Sequence, residues 1–145
     1  MLKRIVLAMA LMLCAASFTV EAAPWGSNRT SATKTKIDQS SKRALMKTFI
    51  QAMFINQDYD AIWQLFSPEI KKQMIKEAGS EKAAKETFKK EIKKVMAEMD
   101  KGELAMVKGA VSTPEGMNAM INELLKDGEK DLKKIGNKWY INKLD

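Results

Sequence analysis

Residues 115–131, "EGMNAMINELLKDGEKD", admit two readings, and the fold turns on the choice between them. As a helix, Met117, Met120, Ile121, Leu124 and Leu125 line one side at three- and four-residue steps. As a strand, Met117, Ala119, Ile121 and Leu125 share a face, Glu123 breaks the alternation, and Lys126-Asp127-Gly128 makes a hairpin turn. Local propensity favours the helix. The residues that follow favour the strand. In "LKKIGNKWYINKLD", 132–145, apolar residues at Leu132 and Ile135, then at Trp139, Tyr140, Ile141 and Leu144, flank Gly136-Asn137. That is the signature of a β-hairpin. A lone two-stranded ribbon is barely stable in water, so a hairpin here asks for neighbouring strands. "ELAMVKGAVS", 103–112, offers one: it is β-like in composition and bounded by Gly102 and Thr113-Pro114. The expectation is therefore a meander over 103–111, 117–125, 129–135 and 138–144, with a helical 115–125 as its rival.

Upstream the pattern is helical. In "SKRALMKTFIQAMFINQ", 41–57, apolar residues fall at 45, 46, 49, 50, 53 and 54, a single buried stripe. "DYDAIWQLF", 58–66, places Ile62, Trp63 and Phe66 three, four and seven residues after Tyr59, with Asp58 or Asp60 available as N-cap. Ser67-Pro68-Glu69 is a helix start: a capping hydroxyl, a proline at the first position and an acid in the first turn. Gly79 is placed to end that helix. Ser80 then opens the longest one, with Ala84, Phe88, Ile92, Val95, Met96 and Met99 inward, running to Gly102. The fold class expected is α+β, with N-terminal amphipathic helices packed on a C-terminal curved antiparallel sheet. The alternative is a mostly helical chain with a terminal β-hairpin.

The first residues read as a targeting segment. Lys3 and Arg4 precede an uncharged apolar run from Ile5 to about Ala16, and small residues follow around Val20-Glu21-Ala22, the pattern of a secretory signal peptide cut after Ala22. The run is shorter than the roughly 20 apolar residues of a membrane span. A lipoprotein reading at Cys14 fails because Leu13 before it is not small. The expected organisation is a signal peptide at 1–22, a flexible mature N-terminus at 23–39 and a single α+β domain at 40–145, exported to the periplasm or secreted. Within the tail, Trp25 is an isolated apolar residue, and Asn28-Arg29-Thr30 matches a glycosylation sequon by chance.

Removing 1–22 narrows the chemistry. Cys14 is the sole cysteine, and the chain has no histidine. Ser-His-Asp and Cys-His systems cannot be built, nor can a zinc site of His and Cys. Carboxylates remain available as acids or bases. Lys3, Arg4 and Glu21 leave with the signal, so 23 basic and 17 acidic residues remain, a net charge of +6. Such a surface is drawn to acidic proteins, polyanions and anionic membranes, and export argues against nucleic acid.

With the meander in place, the chain resembles the nuclear-transport-factor-2-like superfamily, the cystatin-like α+β cone, and its small exported bacterial members. The likeness lies in "RALMKTFIQAMFINQDYDAIWQLFSPE", a helix running through an Asp-Tyr-Asp step into an aromatic-rich second helix. It lies also in "LKDGEKDLKKIGNKWYINKL", a Gly turn before a Trp-bearing last strand. The resemblance implies helices packed on a curved sheet with a pocket between them. Tyr59, Trp63, Phe66, Phe88 and Trp139 would line that pocket or fill it as core. The acid–base dyads of enzymatic members include His, which this chain lacks.

The functional expectation is a non-enzymatic exported binding or accessory module. Its partner would be an envelope protein or a small apolar or amphiphilic ligand, with no cofactor, no metal and no nucleic acid. A basic face is formed by Lys82, Lys85, Lys89, Lys93 and Lys94, interleaved with Glu81, Glu86 and Glu91; Glu81→Lys85 and Glu86→Lys90 are favourable i, i+4 pairs. Alternating signs read first as a solvated face, with weak contact to an anionic membrane surface as a further use. The rivals are a pocket enzyme with Asp58, Asp60 or Glu69 as general base, and a peripheral membrane or cell-wall-associated protein acting through the lysine-rich helix. Met96, Met99 and Met106 are the nearest to a thioether cluster for Cu(I), but adaptable core packing explains them better.

Overall fold

The computed structural model describes residues 33–143. The readings at 1–22, Cys14, Trp25 and Asn28-Arg29-Thr30 lie outside them. Each helix begins where the sequence supplies a cap. The Ser41 hydroxyl accepts the Ala44 N–H at 3.0 Å and opens α1 (Lys42–Ile50). The helix widens without a break into a π-helical turn, Gln51–Ile55. Along this rod Leu45, Met46, Phe49, Ile50, Ala52, Met53 and Phe54 are buried, and Ile55 is left outside. Gln57, at a φ of 49°, turns the chain. Asp58 caps α2 (Tyr59–Leu65), Ser67 caps α3 (Pro68–Ala78), and Gly79 ends α3 at a φ of 87°. Ser80 caps α4 (Glu81–Glu98).

From Asp100 onward the structure departs from the expected meander. Residues 101–111 and 114–128 are helices α5 (Lys101–Val111) and α6 (Pro114–Gly128), followed by a 3-10 turn, Glu129–Asp131. Strands form only at β1 (Leu132–Ile135) and β2 (Lys138–Ile141), and 71% of the described residues are helical. The curved four-stranded sheet is replaced by the alternative, a mostly helical chain with a terminal hairpin. The reason is capping chemistry. The Asp100 N–H donates to the Glu103 carboxylate at 3.2 Å in a capping box. Thr113 accepts the Gly116 N–H at 3.1 Å while Pro114 occupies the first helical position. Met117, Met120, Ile121 and Leu124 then bury one face of α6. The Arg43 guanidinium in α1 reaches across to Asn122 at 2.5 Å and Asn118 at 3.2 Å in α6.

The hairpin does have neighbours, though not sequential strands. Leu132 pairs with Ile141 and Ile135 with Lys138, around a two-residue turn in which Gly136 has a φ of 60°. The outer edge of β2 is occupied by two distant segments. The Trp139 N–H donates to the Gln39 carbonyl at 2.8 Å, and the Gln39 side-chain amide donates back to the Trp139 carbonyl at 2.9 Å. The Ser67 N–H donates to the Ile141 carbonyl at 2.9 Å, beside a parallel bridge from Phe66 to Ile141. One core gathers α1, the π turn, α2, α4, α5, α6 and Ile141.

Residues 33–39, assigned to the tail, carry no helix or strand but are hydrogen-bonded onto the domain. The Thr35 N–H donates to Asp58 at 2.9 Å, Asn56 donates to the Thr35 hydroxyl at 2.9 Å, and the Thr48 hydroxyl donates to the Asp38 carbonyl at 3.1 Å. Among the described residues no helix is long and apolar enough to cross a membrane.

Candidate functional site

The short helix α2 presents Tyr59 and Trp63, one turn apart, toward α4. Trp63, Phe66 and Phe88 are buried together. The Phe88 ring lies 5.8 Å from Trp63, tilted by 59°, and 5.1 Å from Phe66, edge-on at 87°. These three fill the core between α2 and α4. Tyr59 stands half-buried at the rim, and burial pushes its phenol above the usual tyrosine value. Trp139 is on β2, outside this cluster of rings, and the Lys42 ammonium sits 4.8 Å above it. The five aromatic candidates therefore divide: four belong to the region of α2 and α4, and one belongs to the hairpin.

The basic candidates lie along α4, where steps of three and four residues put Lys82, Lys85, Lys89 and Lys93 on one stripe and Lys94 around the side. All are exposed except Lys85, which is half-buried. Two of them meet the aromatic rim. The Lys85 ammonium lies 6.0 Å from the Trp63 ring centre, and that of Lys89 lies 5.6 Å from Tyr59. Lys85 also pairs with Glu81 at 2.9 Å, the expected i, i+4 contact, and this hydrogen bond holds the Glu81 carboxyl below its ordinary value. The second expected pair, Glu86 with Lys90, is not formed. Lys71 of α3 approaches the same place. Burial pushes its ammonium below the usual lysine value, Glu81 pulls it back, and Lys85 lowers it further. The result is a cationic ridge resting on aromatic faces, suited to a partner with carboxylates and some apolar surface.

The carboxylates considered as general bases have structural partners. Asp58 accepts the Ala61 N–H at 3.1 Å through one oxygen and the Thr35 N–H at 2.9 Å through the other. Glu69 pairs with Lys133 of β1 at 2.7 Å, and Asp60 is exposed in the first turn of α2. No group of three or more His, Cys, Asp or Glu side chains placed to hold a metal occurs among the described residues. The three methionines differ in setting: Met99 is buried, Met96 half-buried and Met106 exposed.

One feature escaped sequence reasoning. Lys42, Lys126, Asp127, Glu129 and Lys130 line an open depression where α1 meets the end of α6. Lys42 is ion-paired there with Glu129, 87 residues away, a separation at which no local pattern announces a contact. Protein-family models, curated proteins and solved structures were all compared with the chain, and none matches. The likeness to the nuclear-transport-factor-2-like superfamily thus rests on the sequence alone, without the curved sheet that it implied.

Proposed function

We propose that the protein is an exported, non-enzymatic binding module that takes an acidic partner on the face where the lysines of α4 overlie the aromatic rim of α2. The observation that carries this reading is the pairing of Lys85 with Trp63 and Lys89 with Tyr59. The stripe continues through Lys82 and Lys93, on a chain with a net charge of +6 once residues 1–22 are removed. Carboxylates of a partner would meet the ammonium groups of Lys82, Lys89 and Lys93, Lys85 being paired with Glu81, and half-buried Tyr59 would supply apolar contact. The structural partners of Asp58 and Glu69 favour this reading over a pocket enzyme. Export rests on the basic-then-apolar pattern of the first 22 residues.

Titration with poly-glutamate tests the site. The double variant Lys89→Glu/Lys93→Glu should bind at least about tenfold more weakly than a control reversed at Lys47 and Lys108, because reversal at the contact adds repulsion that distant reversal does not. Equal weakening in both would mean that only net charge matters and would overturn the assignment. N-terminal sequencing of the exported protein should begin at Ala23.

A further inference from the structure

The hairpin has one used edge and one unused edge. A two-residue turn closing on Ile135 and Lys138 makes that pair exchange hydrogen bonds, so pairing alternates along the ribbon. Lys134 with Trp139, and Leu132 with Ile141, then aim their backbone groups away from each other. The β2 side bears this out, since Trp139 and Ile141 bond outward to Gln39 and Ser67. On the β1 side, the Leu132 N–H is taken by the Glu129 carbonyl. The Leu132 carbonyl and both the N–H and the carbonyl of Lys134 have no partner among the described residues. Lys134 and Ile135 are exposed, and Ile135 is 38% accessible despite its apolar side chain.

Charge selects the occupant of this edge. A second copy pairing antiparallel through β1 would set either Lys133 or Lys134, depending on register, opposite its own counterpart, an unfavourable opposition of like charges. The chain's own residues 23–37 carry Arg29, Lys34 and Lys36 and no acid, so they would be repelled as well. An acidic strand meets the opposite situation. Lys134 and Lys138 lie on opposite faces of the ribbon, whereas Lys133 is already paired with Glu69, so carboxylates on either face of an added strand would find an ammonium. Ile135 and half-buried Tyr140 share the outer face with Lys133 and Lys138 and offer it apolar contact.

We propose that β1 is a strand-addition site for an extended acidic segment alternating carboxylate and β-branched residues, bonded through the backbone of Lys134 and Leu132. This site is separate from the ridge on α4. The probe is a short capped peptide alternating Glu and Val, with a second peptide of the same charge carrying N-methyl groups at alternate residues. Added to the full chain, the first should slow hydrogen exchange of the Lys134 amide by about tenfold and shift the resonances of Leu132–Ile135. The N-methylated peptide should do neither. Lys134→Pro should abolish peptide binding and Lys134→Gln should keep it, because proline removes the edge donor whereas glutamine removes only a charge. Lys89→Glu/Lys93→Glu should leave it unchanged, which separates this site from the one proposed above. Equal effects of the two peptides, shifts confined to α4, or no slowing of Lys134 exchange would each overturn the proposal.

Discussion

Gly116 shows how much one hydrogen atom can decide. A Cβ built there would lie 2.0 Å from the Ala110 carbonyl oxygen, a backbone atom that cannot swing aside. Gly116→Ala should therefore lower stability by about 2 kcal/mol, the scale of overpacking, in urea or thermal melts. Gly128→Ala is the control, since nothing lies within 4 Å of its Cβ; stability should hold or rise by at most about 1 kcal/mol. Phe88→Ala, which removes the ring shared by Trp63 and Phe66, should cost about 3–5 kcal/mol. Lys71 makes a prediction about pH. Its native value is depressed by burial, so at neutral pH the charged amine is disfavoured in the folded state. That penalty fades as pH rises from the depressed value toward the ordinary 10.5, where the unfolded chain also loses its proton. Lys71→Met should raise the melting temperature near neutrality, and its advantage should shrink with increasing alkalinity. Tyr59 works in the opposite sense: its raised value makes the wild type lose stability as pH climbs past 10.0.

At the scale of elements, helix starts were legible where the cap is local. Asp58, Ser67-Pro68, Gly79 and Ser80 sit where their spacing placed them, because a cap and its helix lie within three residues of each other. The same chemistry stands at Thr113-Pro114-Glu115 and at Asp100-Lys101-Gly102-Glu103, but in the sequence Gly102 and Thr113-Pro114 read as the ends of a β-like run, and the hairpin's need for neighbours overrides the helical propensity of 115–125. That need was real. It is met by Gln39, 100 residues before Trp139, and by Ser67, and no periodicity reports such contacts. Thr113→Ala should weaken α6 by about 1 kcal/mol, with loss of amide protection concentrated in its first turn.

At the scale of the molecule, both halves of the candidate site were readable, but their meeting was not. The Tyr59–Trp63 step and the lysine stripe of α4 each follow from helical spacing, whereas the placement of α2 against α4 is a tertiary fact. Trp139 joins the pocket residues only if a sheet spans the domain, and it lies on the terminal hairpin instead. The whole arrangement depends on Pro114–Gly128 being one helix, because α6 covers α1 and leaves the hairpin two strands wide. Backbone carbon chemical shifts of the full chain in solution test this most directly. The structure predicts helical shifts without interruption from Pro114 to Gly128 and extended shifts at Leu132–Ile135 and Lys138–Ile141; extended shifts through 117–125 would contradict it.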